Sequence, residues 1–141
     1  MGIRRNDVMA LAQIATGLGM LTFWILFFTV GMAPAKPPAC YFAFEHAFTL
    51  PDAVLSVGLL AAGMLQYRLR SEAWAISLAC AGGLLFLGLA DVSFNLQNGI
   101  YSESLAGGLG ALAINTWCIA LGLALIVSQL RLLRERRIEL S

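Results

Sequence analysis

Four apolar runs, at about residues 8–32, 50–67, 74–98 and 105–130, take up most of the chain. A helix of about 20 residues crosses the roughly 30 Å hydrocarbon layer of a bilayer, and each run is close to or beyond that length. Of the 141 residues, 60% are hydrophobic and only 12% charged, with a mean hydropathy of +0.81, far from ordinary soluble composition. The runs are continuous rather than alternating, which argues against the strands of a membrane barrel. The predicted fold is an all-α, four-helix membrane bundle, a single domain over residues 1–141 with a basic tail from 131 to 141.

Charge placement gives the bundle an orientation. Arg4 and Arg5 precede the first run, Arg68 and Arg70 separate the second from the third, and Arg131, Arg134, Arg136 and Arg137 follow the fourth. Lys36 stands alone on the other side. Basic residues collect on the cytoplasmic side of membrane proteins, so both termini are expected to face the cytoplasm in a multi-pass protein of the inner membrane. The formal net charge of +1 hides this asymmetry. It is a topology signal, and without a basic groove interleaved with stacking aromatics no nucleic-acid partner is expected. The expected partner is the lipid bilayer.

The first run is too long for the apolar core of a signal peptide. Its Phe23, Trp24, Phe27 and Phe28 read as packing and interfacial anchors rather than a ligand box. Cys40 falls in the loop, and Cys80 and Cys118 lie within the third and fourth runs. With no Cys-x-x-Cys pair, redox chemistry is not expected, and Cys80 and Cys118 read as small packing residues. The segment 33–50 opens with Pro34, Pro37 and Pro38. Its apolar stretch 41–48 is expected to lie in the interface or dip back onto the bundle. Thr49-Leu50-Pro51-Asp52 fits a helix start, with Thr49 as N-cap and Asp52 at the capping-box position. Gly99 reads as the cap closing the third helix, and Ser102 or Ser104 as the cap opening the fourth.

Polar residues inside such a chain are expensive and mark working sites by default. Asp91 lies in the third run, about 25 Å along the helix from Trp74 at a rise of about 1.5 Å per residue. Asn95 and Asn98 follow on the same face. The topology brings Glu45, His46, Asp52, Asp91, Asn95, Asn98, Tyr101 and Asn115 to one outer third of the bundle, with no comparable set expected in the inner half. A shared depth suggests a pocket between helices. Carboxylates held close in a low-dielectric site can bind a proton or act as acid and base. A carboxylate with amides can equally hold an amine, a hydroxyl or a lipid headgroup. Metal ligation is not expected, since no His-x-x-x-His or Glu-x-x-His spacing is present. Asp52 keeps its capping alternative, and Tyr101 its alternative as an interfacial belt residue.

The phrases Phe44-Glu45-His46-Ala47-Phe48 through Leu50-Pro51-Asp52, and Phe86-Leu87-Gly88-Leu89-Ala90-Asp91 through Asn95-Leu96-Gln97-Asn98-Gly99-Ile100-Tyr101, resemble those of small bacterial four-span membrane proteins. The likeness covers mainly the second and third runs and implies the four-span fold without an activity. Other four-span families fit worse. Small multidrug carriers place a Glu in the first span, the vitamin K epoxide reductase group needs a Cys-x-x-Cys, and the eicosanoid and glutathione membrane enzymes carry an intramembrane Glu-Arg signature. Sterol isomerase-like membrane domains use acidic residues in a helical cavity, an analogy of chemistry without residue alignment.

The leading expectation is a membrane protein that binds or transports a small molecule, lipid or cation through Asp91 and Glu45, supported by Asn95, Asn98 and Asp52, with His46 and Tyr101 beside them. No cofactor is expected. Two alternatives stay open: a membrane enzyme acting on a lipid-soluble substrate through paired carboxylates, and an accessory subunit. Gly and Ala faces beyond what four helices need internally leave room for a homo-oligomer or a larger membrane complex.

Overall fold

The computed structural model describes residues 5–34 and 36–139. Arg4 lies outside them, as do the side chains of Arg5, Arg136 and Arg137. The described residues form five helices: α1 (Arg5–Val30), α2 (Tyr41–Tyr67), α3 (Ala73–Gln97), the single turn α4 (Ile100–Glu103) and α5 (Leu105–Glu139). Four segments, Asp7–Val30, Tyr41–Tyr67, Ala73–Gln97 and Leu105–Arg134, are long and apolar enough to cross a membrane. Along the chain α1 packs on α2, α2 on α3 and α3 on α5, as short connections between long helices require. One end of the bundle carries the α1–α2 connection and α4, here the loop end. The other carries the α2–α3 turn with Arg68 and Arg70, here the arginine end.

Helix α1 stops at Gly31, whose φ of +77° a residue with a Cβ rarely adopts, and Pro37 and Pro38 lie in the irregular connection before α2. The second helix then begins nine residues earlier than the sequence suggests. Residues 41–48 are its first two turns and not a separate short piece, and Pro51 lies inside it. Thr49 is no N-cap. Cys40 holds that position without a side-chain cap, and Thr49 Oγ1 is buried without a partner. Packing outweighs the capping signal here. Tyr41, Trp24, Phe27, Phe94 and Ile100 form one buried cluster, with Phe23, Phe44 and Phe48 against it, and Phe44 stacks on Phe94 with ring centroids 3.8 Å apart. That aromatic contact requires residues 41–48 to be helical, and the neighbouring turns absorb the hydrogen bond that Pro51 removes.

At the arginine end α2 closes with a Schellman motif: the Arg70 N–H reaches the Leu65 carbonyl at 2.9 Å and the Leu69 N–H the Gln66 carbonyl at 3.0 Å. The left-handed position of that motif holds Leu69, at φ 57°. At the loop end Asn98 caps α3, and Gly99 follows in the left-handed region. Ser104 opens α5 by accepting the Gly107 N–H at 3.1 Å, as expected of it, while Ser102 turns back to the Gly99 carbonyl.

Leu59, Leu84, Leu125, Cys80 and Cys118 form the central core, both cysteines being free thiols. Helices approach closely where side chains are missing. A Cβ on Gly63 would lie 2.7 Å from the Ala10 carbonyl, and one on Gly122 3.0 Å from that of Ala81. Large apolar side chains cover the outside, among them Ile25, Phe86, Leu96 and Leu105. Hydrocarbon is the solvent that suits such a surface.

Candidate functional site

Glu45 and Asp52, seven residues apart, share one face of α2. Asp52 is buried and Glu45 half-buried. On the neighbouring helix Asp91, also half-buried, lies within electrostatic reach of Glu45 and Asp52, whose charges act on it. The three carboxyl groups picked out of the sequence thus lie within electrostatic reach of one another. Among the described residues none of them has an ion-pair partner, and the charges acting on Asp91 are those of Glu45 and Asp52.

Neutral donors border the cluster. Trp24 Nε1 on α1 donates to Asp52 Oδ2 at 3.0 Å, and the Tyr41 hydroxyl, one turn before Glu45, lies beside the Glu45 carboxylate. Asp52 Oδ1 is buried with no hydrogen-bond partner. A buried acceptor left that way costs about 1–3 kcal/mol, and such atoms are rare in folded proteins. Asp52 is thus a buried member of the cluster, and its predicted capping alternative fails because it lies three full turns into α2 rather than in the first turn. Cys118 on α5 lies within electrostatic reach of Asp52 and Asp91. All four long helices therefore contribute a side chain.

The other predicted residues are spread more widely. Asn95 stays half-buried one turn beyond Asp91. Asn98 is occupied in closing α3: its Nδ2 donates to the Phe94 carbonyl at 2.9 Å, and its Oδ1 faces the Cys40 thiol at 3.6 Å. His46 is exposed and stacks on Phe28, 5.8 Å between centroids and 2° from parallel. It lies about 100° around the helix from Glu45, as neighbours on a helix must. Tyr101 accepts a 2.7 Å hydrogen bond from Asn115 Nδ2, which ties α4 to α5. Among the described residues no group of three or more His, Cys, Asp and Glu could hold a metal ion.

A second polar set contradicts the expectation that the other half of the bundle has none. Near the arginine end, Gln13 Nε2 and Gln129 Nε2 donate to Gln66 Oε1 at 2.8 and 3.3 Å, and Ser77 Oγ donates to Gln13 Oε1 at 2.9 Å. All four residues are buried, one from each long helix. Their hydrogen bonds run mainly among themselves, and they carry no charge. A glutamine toward the arginine-flanked end of each of three apolar runs, Gln13, Gln66 and Gln129, was the signal for them. Trp24 and Tyr41 were missed for another reason: their donor groups acquire a role only once the carboxylates are placed.

No protein-family model, curated protein or solved structure matches the chain.

Proposed function

We propose that this is a multi-pass membrane protein, both termini cytoplasmic, that binds a small cation at the Glu45–Asp52–Asp91 cluster. The observation that carries the reading is the buried, unpartnered Oδ1 of Asp52 beside two further carboxyl groups that no Lys or Arg offsets. Buried charge in proteins is paired. A site made of acids and neutral donors therefore draws its positive charge from a ligand: a proton, or an ammonium-type group. Four spans supplying one residue each give a ligand there contact with the whole bundle. The convergence of Arg68, Arg70, Arg131 and Arg134 at the opposite end supports a loop end facing outward.

Trp24 is itself a reporter, because its indole N–H touches the cluster. In a Trp74→Phe, Trp117→Phe background it is the sole tryptophan of the three. Titrating that variant in detergent with tetraphenylphosphonium, and separately with butylammonium, should give a saturable change in emission with at least one of them. Uncharged tetraphenylmethane and butanol should give none. Asp52→Asn and Asp91→Asn should each abolish the response. No saturable response to either cation, or an equal response to the neutral probes, would overturn the reading and leave an accessory role for the bundle.

A further inference from the structure

The α2–α3 turn and the facing part of α5 enclose a cleft of about 90 Å³, lined by Gln66, Arg70, Ser71, Trp74, Gln129 and Leu132 among others. This is the volume of roughly three liquid waters, enough for a phosphate group and far short of an acyl chain. The cleft lies at the end of the apolar helices, away from the carboxylate cluster. Its lining joins the nearly inaccessible amide side chains of Gln66 and Gln129 to the exposed Arg70 and Ser71 and to the apolar Trp74 and Leu132, the Ser71 hydroxyl donating to Glu72 Oε2 at 3.2 Å. Trp and Arg placed together at the end of a span suit the level of lipid headgroups.

Charge selects the headgroup. Among the described side chains, Arg68, Arg70, Arg131 and Arg134 are all exposed at this end, against Glu72 and Asp7. Arg70 does have a partner, Glu72 Oε1 at 3.5 Å, but both side chains are more than half exposed. Exposed pairs of this kind are weak and easily exchanged, and a phosphate offers the guanidinium a better two-oxygen partner.

We propose that this cleft is a binding site for the phosphate headgroup of an anionic phospholipid, held by Arg70 and Ser71 with the glycerol region against Trp74 and Leu132. It rests on insertion of the helices in a bilayer and is independent of the cation site. Basic residues at the cytoplasmic ends of spans meet the anionic leaflet, so lipid rather than free phosphate is the expected source.

Native mass spectrometry of the protein, released from detergent micelles holding equal phosphatidylglycerol and phosphatidylcholine, tests it. One retained phosphatidylglycerol is expected, preferred at least tenfold over phosphatidylcholine. Arg70→Gln and Trp74→Leu should each reduce retention about tenfold. Arg131→Gln, which removes an equal charge outside the cleft, should leave it within twofold. Millimolar inorganic phosphate or glycerol phosphate should not displace the lipid. Equal retention of the two lipids, retention unchanged in Arg70→Gln, or an equal loss in Arg131→Gln would overturn the site. Displacement by free phosphate would overturn the assignment to lipid.

Discussion

Trp24 Nε1 and Asp52 Oδ2, 28 residues apart, meet in a buried 3.0 Å hydrogen bond between α1 and α2, while the second oxygen of the same carboxyl group has no partner. One oxygen of Asp52 is fixed by the protein, and under the proposed function the other is the atom that meets the cation. The rigidity of Trp24 matters here, since its ring packs between Phe23, Phe27 and Phe28 at centroid distances of 5.2 to 5.7 Å. A donor so well packed holds the Asp52 carboxyl group in one orientation.

Trp24→Phe removes that donor while keeping most of the ring, and should destabilise the folded protein by about 1–3 kcal/mol, the cost of stranding a buried acceptor. Combined with Asp52→Leu the same change should cost much less, because the partner is gone. Thermal unfolding in detergent across the four-protein cycle measures this; equal losses in both backgrounds would show that the ring's packing, and not its hydrogen bond, is what counts.

Gln66→Leu deletes the acceptor shared by Gln13 and Gln129. Hydrogen bonds between membrane helices contribute about 0.6 to 2 kcal/mol each, so a loss of about 1–3 kcal/mol is expected for the pair. Gln97→Leu is the control, since Gln97 is exposed and bonds only to Ser93 on its own helix, and it should change stability by less than about 0.5 kcal/mol.

Much of this architecture is written in the chain at the level of span length, because hydrocarbon permits few alternatives to long helices with satisfied backbones. The carboxyl trio Glu45, Asp52 and Asp91 was legible for the same reason: acids are scarce in apolar runs, and antiparallel topology brings them to one end. What was not legible depends on side-chain partners. The Thr49-Leu50-Pro51-Asp52 signal was a sound local cap that lost to the stacking of Phe44 on Phe94, a contact 50 residues away in sequence. His46 shares a depth with Glu45 but not a direction, which depth alone cannot reveal. Gln13, Gln66, Ser77 and Gln129 were overlooked because each is unremarkable in its own span, and only the bundle turns them into a network.

Gly63→Ala should cost about 1–3 kcal/mol, for its methyl would meet Ile14 at 2.6 Å and the Ala10 carbonyl at 2.7 Å. Gly82→Ala meets nothing within 4 Å and should be neutral or stabilise by up to about 1 kcal/mol through helix propensity. Unfolding midpoints of the two variants, compared side by side, decide whether close approach of α1 and α2 is needed.

Glu72 lies outside the candidate spans, where its own backbone N–H, then the side chains of Arg70 and Ser71, hold its carboxyl below the ordinary value of 4.5. A carboxyl lowered on folding contributes stability above its unfolded pKa, and that contribution fades as pH falls through the folded value. For so exposed a group the effect is small and screened by salt. Carbon-13 NMR titration should place Glu72 below 4.5 and show it rising in Arg70→Gln; no movement would mean the ion pair does not persist in solution.

Leu69 occupies the left-handed position of the α2 Schellman motif at φ 57° with its side chain 59% exposed. An L-residue there costs about 1–2 kcal/mol, and little packing offsets it. Glycine removes the steric cost but loses about 0.5–1 kcal/mol of chain entropy on folding, so Leu69→Gly should stabilise the protein by roughly 0.5–1 kcal/mol. Leu69→Ala keeps the Cβ and should give no gain. Because Leu69 also borders the arginine-end cleft, thermal unfolding is best followed in micelles of phosphatidylcholine alone, where an anionic lipid cannot contribute. A destabilised Leu69→Gly in that medium would show that the leucine side chain contributes packing that exceeds the strain of its backbone.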